Sequence, residues 1–329
     1  MLAGVDMKSI VRRAVALTVV LAAIAAPVSA QNYPVKTVRM ILPFSAGSGS
    51  DVIGRMIAGA LTAGLGQQVI VDNRAGAAGN IGAEIAARAA ADGYTLLFAN
   101  IGHAANVTLY RNMGYDIVRD FAPVTQVASA PAIVVVHPSL PVKSIAELVK
   151  LARSKPGAIN YASGGAGTAT FIAAELFTGL AGIRLLHVPY RAGGEALTSV
   201  LAGETSVYFA PLATALPHLR QHRLRAFAVT SRQRVPLLPQ MPTVAELGYP
   251  GYQSGNWYGI LAPAKTPRDV ITSVRSATVN VLAAPAMNSR LAELGYVTIG
   301  DTPEEFAAHI NSEIAKLSKV LRDLNVTAN

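Results

Sequence analysis

Three stretches of the chain combine a short apolar strand with a loop of small residues and the start of a helix. In the first, Val38–Leu42 is the strand and residues 45–50 are the loop, and apolar residues recur at helical spacing after Asp51. The first turn of a helix leaves its backbone N–H groups unpaired and partly positive. A loop of Gly and Ser allows an anion to approach those donors, although the same residues also suit a simple helix cap and turn.

The same arrangement recurs twice. Residues 158–162 are a second short strand, residues 163–168 a second bare loop, and apolar residues follow at helical spacing from Phe171. A weaker third copy has a strand at 185–190, a loop at 191–194 and a helix from 195 to 201. Several anion-accepting helix starts in one chain predict a site that holds its ligand from more than one side.

The first 30 residues have the composition of a secretory signal peptide. Basic residues, Lys8, Arg12 and Arg13, precede an apolar run at 14–26 that is too short to span a bilayer. Small residues end at Ala30, which is the predicted cleavage point, and either Met1 or Met7 is the initiator. We therefore expect a protein that is exported to the periplasm.

Composition narrows the function classes. Apolar residues make up 51% of the 329-residue chain, and 299 residues after the leader suggest two domains. There is no cysteine, which excludes disulfides, a thiol nucleophile and a Cys-ligated metal site. The net charge is +9, but the densest basic cluster, residues 220–225, lacks interleaved aromatic side chains. We therefore expect no nucleic-acid partner.

Strands alternate with helices along the chain, which predicts parallel α/β layers with the ligand beyond the carboxyl ends of the strands. The apolar run at 131–137 marks a first crossing between domains, and the run at 257–263 marks the return. The expected layout is a hinged clamshell with lobe 1 at 31–130 plus 257–329 and lobe 2 at 131–256.

Catalytic and cofactor motifs are missing. The chain contains neither Gly-x-Gly-x-x-Gly nor a P-loop, a Gly-x-Ser-x-Gly or a Ser-x-x-Lys sequence, and Asp51 stands alone among the loop carboxylates. His218 and His222 are four residues apart, yet no third ligand is in register, which favours two surface histidines. His103 either faces the cleft or packs a loop. We expect no catalytic residue, no metal and no cofactor.

Six segments in order along the chain, PFSAGSGSDVIGRMIA, VDNRAGAAGNIGAEIAARAAADGYTLLF, YASGGAGTATFIAAELF, LLHVPYRAGGEALTSVLAGE, LRAFAVTSRQRVPLLPQMPTVAELGY and WYGILAPAKTP, carry a family resemblance. The chain resembles the Bug family, the TctC-like solute-binding proteins of tripartite tricarboxylate transporters. The resemblance implies a monomeric periplasmic binding protein with two Rossmann-like α/β lobes, a type II-like clamshell, that closes on a small organic acid. It also implies large and small permease subunits as partners.

In that family the ligand carboxylate is held largely by backbone amides, hydroxyls and waters of the first and second loops. The resemblance therefore implies ligand-binding residues on both lobes of this chain. In the first lobe they are Ser45, Ala46, Gly47, Ser50 and Asp51, and in the second they are Gly165, Gly167, Thr168, Tyr190, Arg191 and Ala192.

The chain departs from the family pattern at several positions that bear on ligand identity. Phe171 stands where the family often has His, and Glu195 stands where it often has Pro. Phe171 either stacks on an aromatic ligand or, as we favour, belongs to the core. The ligand stays open among dicarboxylates, tricarboxylates, amino acids and aromatic acids. Two other functions stay open: a sensor that presents its ligand to a signalling receptor, and an exported hydrolase.

Overall fold

One strand of sixteen residues connects two α/β halves of the chain. The computed structural model describes residues 33–323 and Val326, so the predicted signal peptide lies outside the described residues. The elements of the first half are β1 (Val38–Leu42), α1 (Gly49–Leu65), β2 (Val69–Asn73), α2 (Asn80–Ala87), β3 (Thr95–Asn100), α3 (Ile101–Leu109) and the connecting strand β4 (Phe121–Val136).

The second half follows, and the chain then returns to the first. The elements are α4 (Ile145–Ser154), β5 (Asn160–Ser163), α5 (Ala169–Ala181), β6 (Leu186–Pro189), α6 (Gly193–Leu201), β7 (Val207–Pro211), α7 (Leu212–Arg220), β8 (Arg225–Val229), β9 (Gly255–Pro263), α8 (Arg268–Ala283), α9 (Pro285–Glu293), β10 (Val297–Thr298) and α10 (Pro303–Asp323).

Each half has its own sheet. In the first, β2, β1 and β3 are parallel, and β9 joins β3 in the antiparallel direction. In the second, β6, β5 and β7 are parallel, and β4 pairs antiparallel with both β7 and β8. Because consecutive parallel strands are joined by helices, the loops that follow β1, β5, β6 and β7 lie at the carboxyl edges of the two sheets.

Strand β4 belongs to both sheets. Its first part pairs with β9, from Phe121 opposite Pro263 to Pro131 opposite Gly255. Its last part pairs with β7, from Ala132 opposite Pro211 onwards. The sequence predicts a strand only at 131–137, where the run is continuously apolar. The structure extends this strand back to residue 121, because pairing with β9 outweighs the polar and proline residues of that stretch.

The spacing of apolar residues along a helix explains which of its faces packs on a sheet. In α10 the buried residues are Phe306, Ile310, Leu317 and Leu321, which repeat at the three- and four-residue spacing of one helix face. A Cβ atom on Gly259 would lie 2.2 Å from Cζ of Phe306, so this position of β9 requires glycine for the close approach of α10. The closing helices thus return the chain to the sheet that contains β9.

No single described helix is both long and apolar enough to cross a membrane, although α8 and α9, bent by 72°, would qualify together on length and composition alone.

Candidate functional site

A cavity of about 520 Å³ lies between the two halves, at the carboxyl edges of both sheets. This volume is within the range of small-molecule sites in proteins. The first half contributes the loop after β1, and the second half contributes the loops after β5 and β6. The three strand–loop–helix stretches that the sequence singles out therefore meet around one space. We call the loop at 43–48 tip 1 and the loop at 164–168 tip 2.

Tip 1 is held by the carboxylate of Asp51, which is 5% exposed. Asp51 accepts hydrogen bonds from the backbone of Gly47 at 3.0 Å, from Nδ2 of Asn73 at 2.9 Å and from Nε of Arg55 at 2.9 Å. Burial by itself raises the pKa of Asp51, but these donors outweigh it and leave the pKa below its ordinary value. Asp51 is therefore ionised and shapes tip 1.

Hydroxyl groups hold tip 2. Ser163 accepts a hydrogen bond from the backbone of Gly165 at 3.0 Å, and Thr170 accepts one from the backbone of Gly164 at 3.1 Å. The hydroxyl of Thr168 donates to the carbonyl of Gly165 at 2.7 Å. These neutral bonds fix the glycine loop without placing a charge beside the cavity.

Helix starts on both sides present backbone donors to the cavity. Within residues 33–323 no acceptor pairs with the N–H of Gly49 or Ser50 in the first half, and none pairs with the N–H of Ala169, Thr170 or Gly193 in the second. All five residues line the cavity. Because α1, α5 and α6 begin there, three helix dipoles add partial positive charge to the same space.

Charged side chains at the cavity favour an anion. Among the described residues that line it, Arg191 is the one cation, and neither Asp nor Glu is present. The polar side chains include Tyr208 and Tyr258, whose pKa values burial raises, so that both hydroxyls stay neutral. Burial also lowers the pKa of His103 to about 4, so this histidine is neutral at pH 7.

The two halves touch on several sides of the cavity. A Cβ atom on Gly49 would lie 3.1 Å from Cβ of Pro211, and one on Gly102 would lie 2.9 Å from the carbonyl oxygen of Gly167. The hydroxyl of Tyr110 donates to the carbonyl of Ala166 at 3.3 Å. The two halves are therefore in contact with each other around the cavity.

Most of the predicted ligand-binding residues line this cavity: Ser45, Ser50, Gly165, Thr168, Tyr190, Arg191 and Ala192. Gly47 and Asp51 are absent from the lining, and the amide of Gly47 is already used by the Asp51 carboxylate. Gly167 is also absent from the lining, because it packs against Asn106 and Ala78 at the contact between the lobes. Ala46 lines a neighbouring, more open cavity.

Several lining residues lie far from the predicted loops. Tyr208 is on β7, Asn256 and Tyr258 are on β9, and Tyr110 follows α3. Local sequence patterns do not single out Tyr208 and Tyr258, because an aromatic residue in a strand usually belongs to the core. Asn100 had a weak signal as the last residue of a strand; its amide donates to the Ser50 hydroxyl at 3.0 Å.

The turn before α2 forms a further wall of the cavity and carries backbone strain. Ala77 and Ala78 both have positive φ angles, 45° and 53°, in a region that alanine rarely adopts. The carbonyl of Ala78 accepts a hydrogen bond from Asn106 at 3.2 Å, which helps to hold the turn. Strained backbone is typical of functional sites, where the surrounding structure enforces it.

The contacts of His103 and Phe171 indicate that these side chains support the fold. His103 is fully buried beside Phe44, which corresponds to the loop-packing alternative. Phe171 is 5% exposed, belongs to the core and packs on His187. Between residues 33 and 323 no group of three or more His, Cys, Asp or Glu side chains is placed to hold a metal ion.

One polar pair was not visible in the sequence. Ser163 Oγ lies 2.7 Å from Nε2 of His187, which brings a hydroxyl and an imidazole together below tip 2. The hydroxyl is fully buried and already accepts the amide of Gly165, so a substrate carbonyl has no approach to it. This pair therefore supports the loop and does not resemble an accessible nucleophile.

Comparison with known proteins gives one consistent family. Residues 53–326 match the model of the tripartite tricarboxylate transporter family receptor, TctC. The chain is 35% identical to a UPF0065 protein from the tcbD-tcbE intergenic region of a Pseudomonas strain, with 98% of each chain covered. It is 34% identical to Protein BugT of Bordetella pertussis, over 92% of this chain and 93% of BugT.

Solved structures agree. Rpa4515 of R. palustris with adipate superposes with a TM-score of 0.87 at 34% identity, covering 90% of this chain and 99% of that one. The periplasmic binding protein BugD gives 0.85 at 30% identity, with 90% and 99% covered. MatC of Rhodopseudomonas palustris with bound malate gives 0.84 at 29% identity, with 88% and 100% covered. These neighbours are two-lobed solute-binding proteins and not enzymes.

Proposed function

Since the chain belongs to the tripartite tricarboxylate transporter receptor family, we propose that it captures a small carboxylate between its lobes and delivers it to a transporter of that type. Receptors of this family are periplasmic, and two solved relatives hold adipate and malate. Carboxylates are thus an established ligand class among proteins similar to this one. The particular acid bound by this chain is part of the proposal.

The observation that carries the proposal is the set of unpaired amides at the cavity. Gly49 and Ser50 approach it from one lobe, and Ala169, Thr170 and Gly193 approach it from the other. No carboxylate among the described lining residues opposes them, and Arg191 adds a positive charge. Donors without acceptors in a partly buried space favour a ligand with negatively charged oxygens.

The energies are sufficient for a transport ligand. A micromolar dissociation constant requires about −8 kcal/mol. Hydrogen bonds that involve a charged group contribute about 1.5–3 kcal/mol each, and a helix terminus adds about 0.3–1 kcal/mol. Four or five such bonds reach this range after the entropy cost of capture, which is several kcal/mol. No buried ion pair is required.

The ligand also explains how closure is controlled. Because its donors come from both lobes, the acid makes all of its bonds only when the lobes are together, as they are at Gly49 and Pro211. A ligand that binds the closed form better shifts the opening equilibrium toward that form. We infer that the permease subunits recognise this closed shape.

The remaining parts of the assignment are also proposals. We infer that the chain is exported, that the leader is cleaved after Ala30, and that the protein acts as a monomer. We assign lobe 1 to residues 31–130 and 257–329 and lobe 2 to residues 131–256. The pairing of β4 with β9 up to Pro131, and with β7 from Ala132, supports a crossing at this position.

A thermal-shift screen of carboxylic acids tests the proposal. The panel contains dicarboxylates, tricarboxylates, acidic amino acids and aromatic acids, and each hit is titrated by calorimetry. We expect at least one acid to raise the melting temperature and to bind at micromolar concentration. Small-angle scattering then measures whether that acid increases the fraction of closed molecules.

The matched primary amide of each acid is the control. Amides have similar size and shape but lack the charge that the helix termini attract. A protein that no acid stabilises, or that binds the amides as tightly as the acids, contradicts the proposal.

A further inference from the structure

Positive charge is concentrated in the second half of the molecule. Residues 131–256 contain eleven Lys and Arg side chains against five Glu and no Asp. The other described ranges, 33–130 and 257–323, contain fourteen basic and thirteen acidic side chains, which almost cancel. The net positive charge of the folded protein therefore comes mainly from one lobe. A field of one sign on one lobe favours association with an acidic partner.

Much of this charge lies at the end of the second sheet that is opposite the cavity. Strands β5, β6, β7 and β8 all run in the same direction, so their first residues share that end. The loops there contribute Lys143, Lys155, Arg184 and Arg223, and β8 begins with Arg225. We call these five residues the basic pole. In the described part of the chain, none of them forms an ion pair with an acidic side chain.

A groove of about 500 Å³ opens beside Lys143 and Arg225 of the basic pole. Four consecutive residues, 224–227, line it, whereas one face of a strand would contribute only alternate residues. The groove therefore runs along the edge of β8. Within residues 33–323 this edge has no partner strand from Arg225 to Ala228, because β8 pairs with β4 on its other side. At its last residue the edge is covered, since Val229 is bridged to Thr243 and forms backbone hydrogen bonds with Pro242 and Val244.

The walls of the groove combine apolar and basic side chains. Leu219, Leu238 and Met241 are half-buried and form the apolar part, while Lys143 and His222 are exposed at the rim. An open strand edge next to apolar pockets is the arrangement by which proteins add an extended peptide to a sheet. The basic rim sets the sign of the partner.

We propose that this groove is a docking site for an extended acidic segment of a partner protein, which adds a strand to β8. Apolar side chains of the segment enter the groove between Leu219 and Met241, and its carboxylates lie beside Lys143 and Arg225, the two members of the basic pole that line the groove. The concave, apolar shape favours an inserted peptide over a membrane, since a flat lipid surface does not enter a groove.

The position of the groove makes binding of the acidic segment independent of lobe closure. It lies at the far end of the second lobe from the cavity, so opening and closing of the lobes leaves it unchanged. The partner is therefore held equally with and without bound acid. This docking surface tethers the protein, whereas recognition of the closed state requires surfaces that both lobes contribute.

The test uses a fluorescein-labelled synthetic peptide of alternating Glu and Leu, with a Lys and Leu peptide as its counterpart. Fluorescence anisotropy measures binding to the full mature protein, and amide hydrogen exchange locates it. We expect the acidic peptide alone to bind, to protect amides of β8 that precede Val229, whose own amide already donates to Pro242, and to bind equally with and without a cavity ligand.

Three variants sharpen the result. Met241→Asp places a charge in the groove and weakens binding about tenfold, the size of effect typical of a central contact residue. Lys143→Glu, at the rim, also weakens binding, while Lys150→Glu makes the same charge change at an exposed position outside the groove lining and leaves binding within about twofold. Thermal melts confirm folding, and the exposed Lys143 site keeps the test valid if Met241→Asp unfolds the protein.

Equal weakening by Lys143→Glu and Lys150→Glu would mean that the peptide only senses net charge, and it would overturn the site. Protection elsewhere than β8 would do the same. Sedimentation with vesicles of an anionic phospholipid is the last arm. Vesicle binding that exceeds peptide binding, and that Met241→Asp leaves intact, would assign the basic pole to a lipid surface and reject the docking groove.

Discussion

Tips 1 and 2 share one architecture but are fixed by different chemistry. At tip 1 a single ionised carboxylate, Asp51, joins Gly47, Asn73 and Arg55. At tip 2 separate hydroxyl groups bond the loop, and a neutral histidine lies below it. Both solutions leave the first amides of the following helix unpaired at the cavity.

The difference shows how a protein can place a negative charge next to an anion site. The Asp51 carboxylate lies outside the cavity lining, where Arg55 forms an ion pair with it and the Gly47 amide donates a hydrogen bond to it. The Gly47 amide is thereby lost as a ligand donor, and the donors at Gly49 and Ser50 remain. Tip 2 also uses two loop amides, those of Gly164 and Gly165, but it pairs them with neutral hydroxyl groups, so no negative charge in the loop opposes the ligand.

Removal of the Asp51 carboxylate gives the largest expected effect. Asp51→Ala leaves the amide of Gly47 and one N–H of the Asn73 side chain without an acceptor, while Asn73 keeps its bond to the Phe44 carbonyl. We expect a loss of about 3 kcal/mol in unfolding free energy. Ligand affinity falls as well, because tip 1 loses its shape. Chemical denaturation and calorimetry measure the two effects.

Asp72→Ala is the matched control. The Asp72 carboxylate accepts hydrogen bonds from Arg39 at 2.7 Å and from Arg74 at 3.0 Å, but Asp72 lies outside the cavity lining. We expect it to cost stability while affinity is retained. If Asp51→Ala and Asp72→Ala lost the same ligand affinity, tip 1 would have no special role in ligand binding.

The two tips should respond to acid in different pH windows. Burial lowers the pKa of His187 below its ordinary value of 6.5, so the unfolded chain takes up a proton that the folded chain refuses as the pH falls below 6.5. Stability at tip 2 is therefore lost from that point downward. The Asp51 contribution is complete above 3.8, the ordinary pKa that it has in the unfolded chain, and it is lost as the pH falls from there through the lower folded pKa.

The measurement is the melting temperature against pH for the wild type and His187→Gln. We expect a shallower decline below pH 6.5 in the variant, while His103 contributes the same background to both proteins. Superimposable slopes would show that His187 does not titrate with folding.

Hydroxyl deletion at tip 2 gives a smaller effect. Thr170→Val keeps the volume but removes the acceptor for the amide of Gly164, which costs about 1 kcal/mol of unfolding free energy. Because tip 2 divides its support among several hydroxyls, this loss should stay well below that of Asp51→Ala. Parallel denaturant titrations compare the unfolding free energies of the two variants. If Thr170→Val lost as much as Asp51→Ala, the support of tip 2 would not be shared among several hydroxyls.

Arg191 gives the smallest effect. Its side chain is exposed, so solvent screens its attraction to the ligand. Arg191→Gln should weaken binding by about threefold at low salt and less at high salt. A hundredfold loss in calorimetry would show that this cation, and not the backbone amides, supplies most of the affinity.

Much of the fold follows from local patterns in the sequence, and less of the site does. The helical spacing after Asp51 and Phe171 and the bare loops before them identify both tips. Tyr208 and Tyr258 reach the cavity only through sheet pairing, which no local pattern specifies. The use of the Gly47 amide by Asp51 is equally invisible, since it depends on how the side chain turns within one loop.

Amide resonances of the labelled protein test the central claim most directly. During titration with an acid from the screen, we predict the largest downfield shifts at Gly49 and Ser50 on one lobe and at Ala169, Thr170 and Gly193 on the other. Changes confined to one lobe, or limited to the side chain of Arg191, would contradict a carboxylate held between opposing helix starts.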